Sequence, residues 1–234
     1  MTLDETGRGK SVARLSQENS QPELPDYYAT VADDIVAFCG DEGGHVWIDL
    51  GSGPGGLGLD LLEKIPDSVM SFIDPKPDAL RRALDVAKER GFRSRAIAVV
   101  GFAEALPLPD ESVDVIVSRG SFYFWQDRAQ GLREAWRVLR PGGRAMIGGG
   151  LGAGYPDWAR REFIRRQRQS QARKGPDAMS EFREARSPDT FRRLAVEAGL
   201  QAFEVIGEGG QDPDARNAGV GIWLRFTKEA ENVS

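Results

Sequence analysis

The chain has 234 residues, 40% of them apolar and 29% charged, with a net charge of −5; such a profile fits one large globular domain. The acidic balance gives no general attraction to nucleic acid or anionic membrane, and no apolar run reaches the roughly 20 residues that span a bilayer. A single cysteine, Cys39, leaves no partner for an internal disulfide and too few thiols for a cysteine-rich metal site.

Residues 1–22 hold few apolar positions and are expected to form a mobile tail. They lack the apolar core of a signal peptide, so a cytoplasmic location is expected. Residues 23–234 are expected to make a single domain. Tyr27 to Phe38 carries apolar residues at helical spacing and predicts a helix. A strand at Val46–Leu50 then feeds five glycines within eight positions, Gly51 to Gly58, and a helix over about Gly56–Lys64. Glycine permits positive φ and leaves no Cβ in the way, so this turn can press backbone against a ligand.

Strand two is predicted near Val69–Ile73, followed by a helix that opens at Pro77 and stops at Gly91. Strands three and four lie near Ala96–Val100 and Val113–Ser118, and a helix covers about Arg128–Leu139. Pro141-Gly142-Gly143 turns the chain into strand five, Arg144–Gly148. A basic, aromatic-containing stretch at about 154–186 reads as a lid-like insert, and Ser187-Pro188-Asp189 opens a helix ending at Gly199. Strands near Ala202–Gly207 and Val220–Thr227 are separated by a polar loop and should pair as a hairpin. The alternation predicts an α/β, Rossmann-like open sheet of seven strands, mostly parallel with an antiparallel last strand and helices on both faces. Ligands in such sheets sit at the carboxyl ends of the strands.

Gly51, Gly53 and Gly56 satisfy GxGxxG, so a dinucleotide site has to be weighed. Asp74 lies 23 residues beyond Gly51, where a ribose diol of either cofactor would be gripped. Asp49 discriminates: a diphosphate would be repelled by a carboxylate there, whereas an ammonium and a sulfonium would be favoured. The plainer alternative is that Asp49 hydrogen-bonds loop amides.

Three segments carry a resemblance. They are Asp49-Leu-Gly-Ser-Gly-Pro-Gly, the run from Ala103 through Leu106-Pro107-Leu108-Pro109-Asp110 to Ser118, and Arg133-Glu-Ala-Trp-Arg-Val-Leu-Arg-Pro-Gly-Gly. In this order and spacing they resemble class I S-adenosylmethionine-dependent methyltransferases, and look closest to the small-molecule group that includes quinone-biosynthesis enzymes. The resemblance covers about Val46 to Gly148. It implies S-adenosylmethionine as cofactor, with Asp49, Gly51, Ser52 and Gly53 along the methionine moiety and Asp74 on the ribose hydroxyls. It further implies Pro75 beside the adenine, Phe102, Ala103 and Glu104 over its other face, and Ser118 and Arg119 at the methionine end. One departure stands out: the family commonly has Asp where this chain has Phe102, which can stack on a ring but cannot accept a hydrogen bond.

The resemblance also implies transfer of a methyl group to a small molecule by in-line displacement; no metal is expected, and the basic insert and the aromatic residues above the strand ends point to an aromatic or acidic acceptor. The post-strand segment lacks the Asn/Asp-Pro-Pro-Tyr/Phe of base-amine methyltransferases, and nucleic acid is not the expected partner. The insert from Tyr155 to Arg186 holds nine Lys/Arg against five Asp/Glu. Either its arginines keep a lid helix solvated, or Arg165, Arg166 or Arg168 turns inward toward an acidic acceptor. Tyr28, Trp125 and Trp158 are candidate acceptor contacts, and Tyr123 is the candidate general base. A non-catalytic S-adenosylmethionine sensor and a nicotinamide-dependent dehydrogenase are the competing readings.

Overall fold

Strand β1 (Val46–Leu50) buries both faces, and its alternation assigns them: Trp47 points to one side of the sheet, Ile48 and Leu50 to the other. The computed structural model describes residues 22–41, 43–207 and 221–229. The expected tail, apart from Pro22, and the polar loop between the last two strands lie outside the described residues.

The elements continue as α2 (Gly56–Lys64), β2 (Val69–Asp74), α3 (Pro77–Glu89), β3 (Ala96–Val100) and β4 (Val113–Arg119), with α1 (Tyr28–Cys39) preceding β1. Then come α4 (Arg128–Val138), β5 (Leu139–Gly149), α5 (Asp157–Ala172), α6 (Pro176–Glu184), α7 (Pro188–Glu197), β6 (Phe203–Ile206) and β7 (Ile222–Thr227). The seven strands order as β3-β2-β1-β4-β5-β7-β6, all parallel except β7, which runs antiparallel to both neighbours. Helices α1, α2 and α3 cover the face that holds Trp47, Phe72 and Met146; α4 and α7 cover the face that holds Ile48, Ile147 and Leu224. The expected open sheet with helices on both faces is therefore present. Burying each large side chain of these two layers contributes about 1.5–3 kcal/mol.

One strand is longer than expected. Leu139 already pairs with Val113, the chain bulges out through Pro141-Gly142-Gly143, and Arg144 re-enters the same ladder opposite Val115. The bulge is held by β7's exit, because Gly142 N–H donates to the Lys228 carbonyl and Lys228 N–H to that of Gly143. The insert forms two helices, broken where Gly175 (φ 102°) precedes Pro176. Ser187 caps α7 by accepting from Thr190 N–H at 3.1 Å.

The order reverses between β1 and β4, so their carboxyl ends splay apart and open a crevice there. The turn after β1, the end of β2, the loop after β3 and the segments after β4 and β5 all converge on it.

Candidate active site

The glycine turn is fixed from beneath. Gly51 N–H and Ser52 N–H both donate to the Ile73 carbonyl, at 2.7 and 3.1 Å. Gly51 holds φ +70°, and a Cβ there would run into the Ser121 side chain. Gly53 N–H donates to Asp74 Oδ2 and Lys76 N–H to Asp74 Oδ1, both at 2.9 Å. Asp74 thus shapes two turns and still has lone pairs to offer a ligand.

Asp49 lies under this turn, 2% exposed, and accepts from Gly58 N–H at 3.0 Å. Gly58 has to be glycine for that approach, since a Cβ would press on both Phe72 and Asp49. Burial pushes the Asp49 carboxyl up to about 7; the Gly58 N–H opposes this and the Asp74 charge adds to it. Asp49 is absent from the cavity wall, so the amide-bonding role is the one its geometry displays.

Above the turn is a cavity of about 670 Å³. Gly51, Ser52 and Gly53 form its floor, Asp74 and Pro75 one side, and Phe102, Ala103 and Glu104 another. Tyr28 and Trp125 close it from α1 and from the segment after β4. The Phe102 side lies open, with that residue 59% exposed on the rim. Glu104 Oε1 accepts from Gln126 and Asp127 N–H at 2.6 and 3.3 Å, tying the loop after β3 to the segment before α4.

A network of hydroxyls joins β4 to β1. Ser121 Oγ donates to the Leu50 carbonyl at 2.8 Å, so its lone pairs accept from Ser118 Oγ at 2.6 Å and Trp125 Nε1 at 3.2 Å. Ser118 is fully buried and is not among the residues lining this cavity; it positions Ser121, which is.

A second, smaller chamber of about 180 Å³ adjoins the first. Arg119 and Gly120 belong to the walls of both. Neighbouring rings are divided the same way, with Tyr28 in the large cavity and Tyr27 in the small one, their centroids 4.7 Å apart. Arg119 sits 3.8 Å over the Tyr27 ring and donates from Nε to the Gly150 carbonyl at 2.9 Å. Tyr123, Phe163, Gln167 and Arg186 complete much of the chamber.

Tyr123, the candidate base, is in this chamber, but burial pushes its hydroxyl up to about 12 against the opposing charges of Arg186, Arg119 and Arg128. It is protonated at neutral pH and is a hydrogen-bond donor there, not a base. Two expected acceptor contacts line neither space. Trp158 is 52% exposed at the start of α5. Arg165 pairs with Glu162, a buried carboxylate that also holds Arg166 at 2.7 Å, which in turn reaches the Pro22 carbonyl. The i+3 and i+4 spacing on α5 turns both arginines toward Glu162 rather than inward. Arg160 is buried, donating to the carbonyls of Gly152, Ala153 and Tyr155.

Sequence reasoning passed over Gly120, Ser121 and Arg186. Ser121 had only its place just after β4, at the strand ends where ligands bind. Arg186 had none, since it precedes a helix cap far along the chain.

Residues 48–147 match the family described as methyltransferase domain. A chloroplastic 2-methyl-6-phytyl-1,4-hydroquinone methyltransferase of Arabidopsis thaliana is 34% identical over 117 residues, 50% of this chain and 32% of that protein. An uncharacterized methyltransferase of Mycobacterium tuberculosis is 40% identical over 100 residues, 42% of this chain and 36% of that one. The match therefore spans about a third of the length of these curated relatives. Among solved structures, a protein of Methanococcus maripaludis assigned to the S-adenosyl-L-methionine-dependent methyltransferases is 28% identical, with both chains fully covered and a TM-score of 0.71. An Aquifex aeolicus methyltransferase at 15% identity shares the fold, with a TM-score of 0.60 over 92% of this chain and 96% of its own. Matched motifs, strand order and a glycine-floored cavity at the switch point together make residues 48–147 similar to a methyltransferase domain, set in the fold of S-adenosylmethionine-dependent methyltransferases.

Proposed function

We propose that the protein transfers a methyl group from S-adenosylmethionine to a small-molecule acceptor seated in the smaller chamber. The observation that carries this reading is the shared wall: the two cavities meet at Arg119 and Gly120. A donor in one and an acceptor in the other would face each other across a residue that has no side chain.

The large cavity suits the cofactor. A Cβ on Gly53 would project into open space, so the turn leaves its backbone free to contact a ligand. In this reading Asp74 accepts from the ribose hydroxyls, Pro75 and Phe102 flank the adenine, and Gly51 to Gly53 border the methionine moiety. Asp49 acts from beneath, its charge felt through the turn rather than by contact. S-adenosylmethionine, when bound, supplies an electrophilic methyl on a sulfonium, an already good leaving group.

The chain's work is then positioning and exclusion of water. Arg119 holds the boundary through Tyr27 and Gly150, and Tyr123 donates from its hydroxyl. Among the described residues, no carboxylate or imidazole lines the smaller chamber. The acceptor's nucleophilic atom therefore arrives unprotonated or loses its proton to solvent. The curated relatives include hydroquinone methyltransferases, which supports a ring-bearing acceptor.

Incubation with methyl-labelled S-adenosylmethionine and a small-molecule extract tests the proposal. Label appearing in a low-molecular-weight product supports it. Cofactor binding with no transfer to any component would favour the non-catalytic sensor.

A further inference from the structure

We propose that the acceptor is a flat aromatic acid whose anionic group is held by Arg186. This rests on the methyl-transfer reading above and narrows its substrate class.

The Arg186 guanidinium lies between two rings, 3.7 Å from the Tyr123 centroid and 3.8 Å from that of Phe182. Both of its faces are occupied by π-systems, so only its N–H edge remains to meet a partner. That edge makes one long contact, from Nη1 to the Phe182 carbonyl at 3.5 Å. Among the described residues no carboxylate pairs with it, although Arg81, Arg90, Arg137, Arg140, Arg165, Arg166, Arg192 and Arg193 all have acidic partners. An arginine clamped by rings, half-buried and unpaired in a chamber wall is preorganised for a planar anion.

The rest of the chamber agrees. Arg119 brings a second guanidinium, again without an acidic partner among the described residues and stacked on Tyr27. Tyr27, Tyr123 and Phe163 supply aromatic walls, and the space of about 180 Å³ suits one ring with small substituents. Burial lowers the Arg186 pKa, as expected of a cation set apart from water, and a bound carboxylate would offset that cost. Two cations, with no carboxylate among the described lining residues, also explain how an acceptor could react without a protein base: the field favours its deprotonated form.

The test is binding of hydroxybenzoates and their matched hydroxybenzamides to the full chain saturated with S-adenosylhomocysteine, by calorimetry. The acids are expected to bind about tenfold more tightly or better than the amides. Arg186→Gln should erase that preference while leaving the S-adenosylhomocysteine affinity within about twofold, and Arg186→Lys should keep part of it. Equal affinity for acids and amides, no binding of either to the loaded protein, or a preference that survives Arg186→Gln would overturn the inference alone. Failure of S-adenosylhomocysteine itself to bind would overturn the methyl-transfer reading, and this inference with it.

Discussion

The two cavities are built in different ways. The large one has a floor of backbone: a glycine turn held by the amide bonds of a strand-end carboxylate, beside a loop tied down by Glu104. The small one takes its polar and aromatic side chains from distant segments, Tyr27, Arg119 to Tyr123, Phe163 to Gln167 and Arg186, set against backbone at Gly149-Gly150 and Gly221. Backbone sites tolerate little change in the turn and accept one cofactor. Side-chain sites can be rebuilt one residue at a time, so this is where an acceptor would be selected.

If the contrast is right, the largest effect should come from the turn. Gly51→Ala puts a Cβ against Ser121 at φ +70°; it should cost about 1–3 kcal/mol of stability and weaken S-adenosylmethionine binding by about a hundredfold or more. Calorimetry and thermal melts would read both, and near-normal binding would show that the floor is softer than its geometry says.

Asp74→Asn comes next. It places an amide NH₂ against N–H groups that now donate to a carboxylate, and removes the charge facing the ribose, for a loss of about 1.5–3 kcal/mol in cofactor binding. A smaller change in the dissociation constant, below about threefold, would mean that the ribose is gripped elsewhere.

Gly120 is the hinge of the comparison, because it belongs to both cavities. Its Cβ would enter open space but at φ +80°, so Gly120→Ala should cost about 1–3 kcal/mol of stability and slow methyl transfer about tenfold by intruding on the reacting atoms while cofactor affinity changes by only about threefold. Single-turnover rates set against binding constants separate the two. Equal losses in both would place the passage somewhere else.

Beneath the turn the expected effect is a pH dependence. With its pKa raised to about 7 from an ordinary 3.8, Asp49 holds a proton in the folded chain that the unfolded chain releases. Stability should therefore fall as pH rises from about 4 to about 7 and level off above, at a slope approaching about 1.4 kcal/mol per pH unit from this group. Asp49→Asn should remove that slope in urea titrations. A cation bound above the turn pulls the same pKa down, so S-adenosylmethionine should bind severalfold more weakly at pH 6 than at pH 7.5, and Asp49→Asn should flatten the difference.

The same contrast explains what could be read from sequence. The strands from Val46 to Ser118 and the turn at Gly51 to Gly58 were legible because hydrophobic runs and glycine spacing are local signals. The excursion inside β5 was not, since re-entry of Arg144 opposite Val115 depends on the β4 ladder and on Lys228. For Asp49 the sequence leaves two roles open, and the geometry displays the amide-bonding one: its carboxylate turns under the loop to Gly58. On α5 the basic residues were visible, yet their direction is set by Glu162, and Arg186, which joins Arg119 in the chamber wall, comes from beyond the helix. Side-chain chambers depend on which distant segments meet, and a single sequence does not display that.

A crystal structure of the complex with S-adenosylhomocysteine tests the central claim most directly. The account predicts the ribose on Asp74, the adenine against Phe102, and the sulfur beside Gly120, facing the chamber of Tyr123 and Arg186. A sulfur turned away from Gly120, or a ligand lying outside the glycine turn, would contradict it.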